Sequence, residues 1–150
     1  MIIEYLTDKN RDEILTWKYS GEYASFNYAL EEDGWIDKYC CDKNHYCYSV
    51  KDKEVLIGLF MFIEKNSNEF RVLINPSYLN RGYGTVITKE AITFAFEELR
   101  FNKISLIVRK NHPVAINLYK KLGFQKVGET TELLNGKETE FYKMLKSRTL

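Results

Sequence analysis

Read by its hydrophobic and polar positions, the chain divides into short strands and amphipathic helices. Met1 to Leu6 predicts a first strand. Thr7-Asp8 is a helix-start pair, and the helix runs through Ile14, Leu15 and Trp17 until Gly21 breaks it. Glu22 to Asp37 carries Tyr23, Phe26, Tyr28 and Trp35 and predicts a second helix, or a helical loop, packed on a sheet. His45 to Val50 and Glu54 to Ile63 predict two strands, with Lys51-Asp52-Lys53 as the tight polar turn of a hairpin. Asn66-Ser67-Asn68 makes another turn. Phe70 to Ile74 then forms a fourth strand, which Pro76 ends because it has no amide hydrogen to give a sheet ladder.

Thr85 to Arg100 places Val86, Ile87, Ala91, Ile92, Ala95, Phe96 and Leu99 on one helical stripe. Lys103 to Val108 is a compact apolar strand, so strand, helix and strand predict a right-handed crossover. Pro113 suits an early helical position and Gly123 the C-terminal cap of the helix between them. Gln125 to Leu134 and Lys137 to Leu145 predict two final strands, joined by the hairpin signal Asn135-Gly136. The order is β-α-α-β-β-β-α-β-α-β-β. No repeat, low-complexity tract or linker interrupts it, and 150 residues suit one domain with a sizeable core.

Composition narrows the classes of function. Hydrophobic residues at 45% and charged residues at 29% are ordinary for a soluble globular protein. A formal net charge of +1 gives no general attraction to nucleic acid or to an anionic membrane, so neither is an expected partner. The longest apolar run, Val55 to Ile63, contains Gly58 and is too short to span a bilayer. Met1-Ile2-Ile3-Glu4 lacks the basic flank and apolar length of a signal peptide, so the expected location is cytoplasmic. Cys40, Cys41 and Cys47 lie near His45 without Cys-x-x-Cys spacing. They read as ordinary thiols in a reduced compartment, with no metal site and no disulfide framework.

Candidate chemistry concentrates between Ile74 and Phe124. Asn80-Arg81-Gly82-Tyr83-Gly84-Thr85 is a glycine loop opening a helix, a phosphate-binding device: glycine lets the backbone approach, and first-turn N–H groups have no helical partners. A plain turn with glycine at positive φ would look the same in isolation. A dinucleotide-binding reading is weaker, because the third glycine is missing and Arg109-Lys110 stand where an acidic residue should follow Val108. A P-loop would need Gly-Lys-(Ser/Thr), which is absent. The second piece is Asn111-His112-Pro113-Val114-Ala115-Ile116-Asn117-Leu118-Tyr119-Lys120-Lys121-Leu122-Gly123-Phe124.

Together these two pieces resemble the GNAT superfamily of acetyl-CoA-dependent N-acetyltransferases. Gly82 and Gly84 match the family's (Arg/Gln)-x-x-Gly-x-(Gly/Ala) loop, although Leu79 holds its first position and Arg81 is the basic residue left for the phosphates. Ala115, Leu118, Tyr119, Lys121, Gly123 and Phe124 fit the second signature, while Asn111 lies one residue further from Ala115 than is usual. The resemblance covers about Phe70 to Phe124 and weakens in the N-terminal third.

The resemblance implies an α/β (α+β) fold, a mixed sheet of about seven strands flanked by about four helices. The fourth and fifth strands should splay apart at their C-terminal ends, with pantetheine bonded to the fourth. Acetyl-CoA is the implied co-substrate, attacked by a neutral amine. The resemblance puts an oxyanion donor on the backbone near Leu73 and Ile74 and makes Tyr119 the general acid for the leaving thiolate; otherwise Tyr119 is a core aromatic. Arg81, Gly82, Tyr83, Gly84 and Thr85 would supply phosphate donors from the backbone, with hydroxyls from Thr85 and Thr88. Asn111 and Asn117 are candidates for pantetheine or phosphate, or else cap or surface residues.

Many family members carry a carboxylate base on the fourth strand. Here Arg71 stands there, an exposed strand residue or an anion reader, and Glu69 beside the turn is expected to be solvated. A water chain or an N-terminal carboxylate would then take the proton. Trp17 is expected in the core. Glu22, Glu31, Glu32 and Asp33 bias the N-terminal third toward a cationic small-molecule amine. Acetylation of a protein N-terminus or lysine, and a non-catalytic acyl-CoA sensor, are the competing readings. The oligomeric state stays open, a homodimer among the expectations.

Overall fold

Strand β3 (Val55–Glu64) is buried without interruption from Leu56 to Ile63, the mark of a central strand covered on both faces. The elements around it belong to a computed structural model that describes residues 1–32, 34–40, 46–134 and 136–148. Contacts divide the chain into two compact units. The first is Met1–Ile63 with Arg71–Thr88, and the second is Glu64–Phe70 with Lys89–Leu150.

In the first unit, β1 (Ile2–Tyr5) pairs antiparallel with β2 (Tyr46–Asp52), and β2 pairs antiparallel with β3. A bulge between Val50 and Lys51 leaves Val50 opposite Gly58 and Lys51 opposite Leu56. The hairpin turn is Lys53-Glu54 rather than Lys51-Asp52-Lys53. Both residues have positive φ, 49° and 68°, a left-handed pair that matches the twist of the flanking strands, so β2 extends to Asp52. Gly58 is needed for packing: a Cβ there would stand 2.9 Å from the Leu73 carbonyl oxygen and 3.1 Å from Ile87.

Helix α1 (Asp8–Leu15) starts where Thr7 accepts the Asn10 N–H at 3.1 Å. Thr7→Ala removes that cap and should lower stability by about 1 kcal/mol, read as a shift in the urea midpoint at unchanged slope. The segment after Gly21 is a 3-10 helix, Gly21–Leu30, followed by the short α2 (Trp35–Tyr39). Trp17, Trp35, Ile36, Leu59, Met61 and Leu73 are buried in one cluster with Ile14, so Trp17 is a core residue as expected. Tyr23, Phe26 and Tyr28 pack against that cluster only partly buried.

The second unit holds the start of β4 (Asn68–Ile74), β5 (Lys103–Arg109), α4 (Pro113–Lys121), β6 (Gln125–Leu134) and β7 (Lys137–Ser147). β4 runs parallel to β5 at Asn68↔Ile104 and Glu69↔Ser105, β5 antiparallel to β7, and β7 antiparallel to β6. Through β4 the strand order is β1-β2-β3-β4-β5-β7-β6, the expected seven-stranded mixed sheet. Helix α3 (Tyr83–Glu97) begins two residues before the expected Thr85 and ends before Arg100, whose φ of 61° is left-handed. Asn135 lies outside the described residues; Gly136 beside it has φ 76°.

The placement of Glu69 departs from expectation. Glu69 is buried, not solvated, and Lys65 Nζ holds its carboxylate at 3.4 Å. Cys40 and Cys47 are free thiols whose sulfurs lie 2.9 Å apart, while Cys41 and His45 fall outside the described residues.

Candidate active site

Asn75 fixes the entry to the loop that should carry phosphate. Its N–H bonds the Ile57 carbonyl at 2.7 Å, its Nδ2 the Leu56 carbonyl at 2.9 Å, and its Oδ1 accepts the Ser77 N–H at 3.0 Å. Leu79, at the position where the family has Arg or Gln, packs against the apolar cluster instead. Asn80 is left-handed at φ 62°, and its Oδ1 accepts the Tyr23 hydroxyl at 2.7 Å. Gly82 has φ 83°, and among the described residues no heavy atom lies within 4 Å of a Cβ built there. Glycine is therefore required at 82 for its backbone angles, not for space.

The Val86 N–H closes the first helical bond onto the Gly82 carbonyl at 3.2 Å. The N–H groups of Tyr83, Gly84 and Thr85 are thus left without intrahelical partners, at the positive end of the α3 dipole. The Tyr83 side chain is spoken for. Its hydroxyl donates to Asp52 at 3.3 Å and its ring meets Tyr78 edge-on. Desolvation, then the Asp52 carboxylate, holds that phenol above its usual pKa. Tyr83 can offer phosphate its N–H only. The Arg81 guanidinium lies 5.2 Å from the Tyr78 ring centroid and is exposed. Thr85 is exposed, but Thr88 is buried, so its hydroxyl is withdrawn from the surface.

The backbone of β4 distinguishes Leu73 from Ile74. The Leu73 carbonyl lies against Gly58 of β3, and the Asn75 N–H bonds Ile57 of β3. In a planar trans peptide the C=O and the next N–H point opposite ways. Both the N–H and the C=O of Ile74 therefore face the edge of β4 away from β3. The carbonyl already accepts the Tyr19 hydroxyl. Of the two residues expected to donate to an oxyanion, Ile74 has the outward N–H, whereas Leu73 turns to β3 and is buried.

In the second unit, α4 explains the Leu-Gly-Phe ending. The Leu122 N–H returns to Leu118 and Tyr119, Gly123 takes φ 99°, and the Phe124 N–H bonds the Tyr119 carbonyl at 3.0 Å. That turn brings Phe124 onto the Tyr119 ring, centroids 5.8 Å apart and T-shaped. Burial pushes the Tyr119 phenol up to about 12, so it holds its proton at neutral pH, the state an acid needs. Asn111 and Asn117 are both exposed; the N-cap is His112, not Asn111.

The acidic bias of the N-terminal third is legible in the sequence, but the grouping of its carboxylates is not. Glu31, Glu32 and Asp37 line one cavity of about 220 Å³ with Leu15 and Leu30. Glu22 is not among its lining residues, and Asp33 is outside the described residues. Asp37 had no motif to mark it. Arg71 is half-buried, with its guanidinium 5.9 Å from the Trp35 ring centroid, so it is not a fully exposed strand residue.

A glycine loop on a helix N-terminus can hold an anion, and a strand N–H turned outward can donate to a carbonyl oxygen. The chain belongs to the acetyltransferase (GNAT) family, whose model matches residues 9–124. It is 30% identical over 142 residues to a spermidine N(1)-acetyltransferase of Vibrio cholerae, covering 90% of this chain and 80% of that one. It is also 30% identical over 124 residues to the spermidine N(1)-acetyltransferase of Escherichia coli K12, covering 80% of this chain and 65% of that one. The crystal structure of spermidine N-acetyltransferase from Vibrio cholerae in complex with CoA and spermine matches the fold with a TM-score of 0.78. The two are 25% identical, with 97% of this chain and 94% of that one covered.

Proposed function

We propose that this protein transfers the acetyl group of acetyl-CoA to a primary amine of a polyamine. The observation that carries the acceptor class is the cavity of Glu31, Glu32 and Asp37 with Leu15 and Leu30. Carboxylates beside aliphatic side chains suit ammonium groups separated by methylenes. The names of the two relatives, and the spermine in the crystal complex, point the same way. In this reading the N–H groups of Arg81, Gly82, Tyr83, Gly84 and Thr85 take the pyrophosphate, with Asn111 and Asn117 as further contacts. The Ile74 N–H takes the thioester oxygen as it gains charge. The amine nitrogen bonds to the carbonyl carbon and releases its surplus proton to water, the C–S bond breaks as the carbonyl re-forms, and the Tyr119 hydroxyl gives its proton to the departing thiolate and is reprotonated from water. β4 supplies no free carboxylate base, since Arg71 stands at that position and Glu69 is held by Lys65.

The test is release of CoA thiol in the presence of spermidine, amino acids, aminoglycosides and lysine peptides. Turnover with spermidine above the rest supports the reading. Preference for peptides would favour protein acetylation, and no release despite acetyl-CoA binding would favour a sensor. Replacing Glu31→Gln, Glu32→Gln and Asp37→Asn together should raise KM for spermidine roughly tenfold, as three partly screened ion pairs would, and spare KM for acetyl-CoA. Equal changes in both constants would remove the cavity from acceptor recognition.

A further inference from the structure

Tyr19 is a buried phenol on the segment between α1 and the 3-10 helix. Its backbone is held on both sides by one side chain. Tyr19 N–H donates to Asn27 Oδ1 at 2.8 Å, and Asn27 Nδ2 donates to the Tyr19 carbonyl at 2.8 Å. Phe26 meets its ring edge-on at 5.5 Å. So held, the hydroxyl reaches across 55 residues of sequence to donate to the Ile74 carbonyl.

That carbonyl shares its edge of β4 with the Ile74 N–H. An unmasked carbonyl beside the one donor would repel a negatively charged oxygen seated on that donor. It would also draw water to the same edge, because a buried acceptor seeks a partner. We propose that Tyr19 is a positioning residue for acyl transfer: by occupying the Ile74 carbonyl it makes the end of β4 a site that only donates. The proposal rests on the assignment of Ile74 as oxyanion donor in the proposed function. Its effect belongs to the transition state, because the thioester oxygen carries little charge before attack. Burial raises the phenol's pKa above its usual value, so Tyr19 remains a donor throughout the working pH range.

Tyr19→Phe deletes the hydroxyl and keeps the ring. We expect kcat to fall about tenfold, the worth of one well-placed hydrogen bond, with the acetyl-CoA Kd changed less than about twofold. Asn27→Ala, which frees the Tyr19 backbone, should give the same split. In the free protein, the Ile74 carbonyl carbon-13 resonance should move upfield in Tyr19→Phe as its hydrogen bond is lost. An Ile74 resonance that does not move overturns the proposal, as does an unchanged kcat with chemistry shown to be rate-limiting. A Kd that weakens as much as kcat falls also overturns it, because Tyr19 would then serve ground-state binding. If the wild-type protein transfers acetyl to no amine, the proposed function fails and the oxyanion role of Tyr19 falls with it. The carbon-13 shift then still decides whether Tyr19 occupies the Ile74 carbonyl.

Discussion

Tyr119→Phe is expected to lower turnover by about 10²- to 10⁴-fold, the usual cost of losing a positioned general acid, while acetyl-CoA binds almost as before. The ring, and with it the edge contact to Phe124, survives the substitution, so α4 and its Gly123 turn should be unaffected. The pH profile adds an independent check. A phenol pushed up to about 12 by burial is protonated below that value and ionised only above it. Tyr119 should therefore contribute no falling limb to kcat between about pH 6 and 10, because a group with so high a pKa stays in its acid form there. Stopped-flow measurement of thiol release, with a burst or its absence showing which step limits, reads both effects. Unchanged chemistry in the phenylalanine variant would return Tyr119 to a packing role.

Gly82→Val should weaken acetyl-CoA binding by roughly 10- to 100-fold, from about 1–3 kcal/mol of backbone strain at a left-handed position. The position has φ 83°, which a β-branched residue resists, and nothing among the described residues crowds the added side chain. The loop can therefore relieve the strain by moving. In moving it turns the N–H groups of Tyr83, Gly84 and Thr85 away from their common direction. Gly84→Ala is the matched control. Among the described residues a Cβ there meets only Ile74, at 3.9 Å, so binding should be nearly unchanged. Calorimetry gives the affinities. Melting gives a second reading, since ligand at a hundredfold excess over Kd stabilises the wild type by about 2.7 kcal/mol. Equal affinity in Gly82→Val and wild type would mean that this loop does not cradle phosphate.

Features written within a few neighbouring residues were legible before any coordinates. The alternation of β5, the apolar stripe of α3 and the Pro113 start and Gly123 end of α4 all depend on local sterics and period, and each element stands within a few residues of its expected place. The left-handed Gly82 at the mouth of α3 belongs to the same class. The Lys53-Glu54 turn is not legible in the sequence, because neither residue is one that turns favour and the bulge between Val50 and Lys51 shifts the register by one.

What only the tertiary structure decided is which groups face one another, whether near in the chain, as Lys65 and Glu69, or far apart, as Tyr19 and Ile74. Glu69 reads as a solvated turn residue until Lys65 and the sheet bury it. Asp37 joins Glu31 and Glu32 only because the 3-10 helix and α2 fold back beside Leu15. The choice of Ile74 over Leu73 as outward donor rests on which strand edge faces β3, and the masking of its carbonyl rests on Tyr19, 55 residues away. Periodicity sets which face of an element is apolar, but a hydrogen bond's partner is chosen by where whole elements pack. The chemistry class was therefore written in the chain by itself, in the glycine loop and the Tyr119 motif. The grouping of Glu31, Glu32 and Asp37 and the partner of the Tyr19 hydroxyl came from packing, because a carboxylate or phenol gains meaning only from the groups it is brought to face.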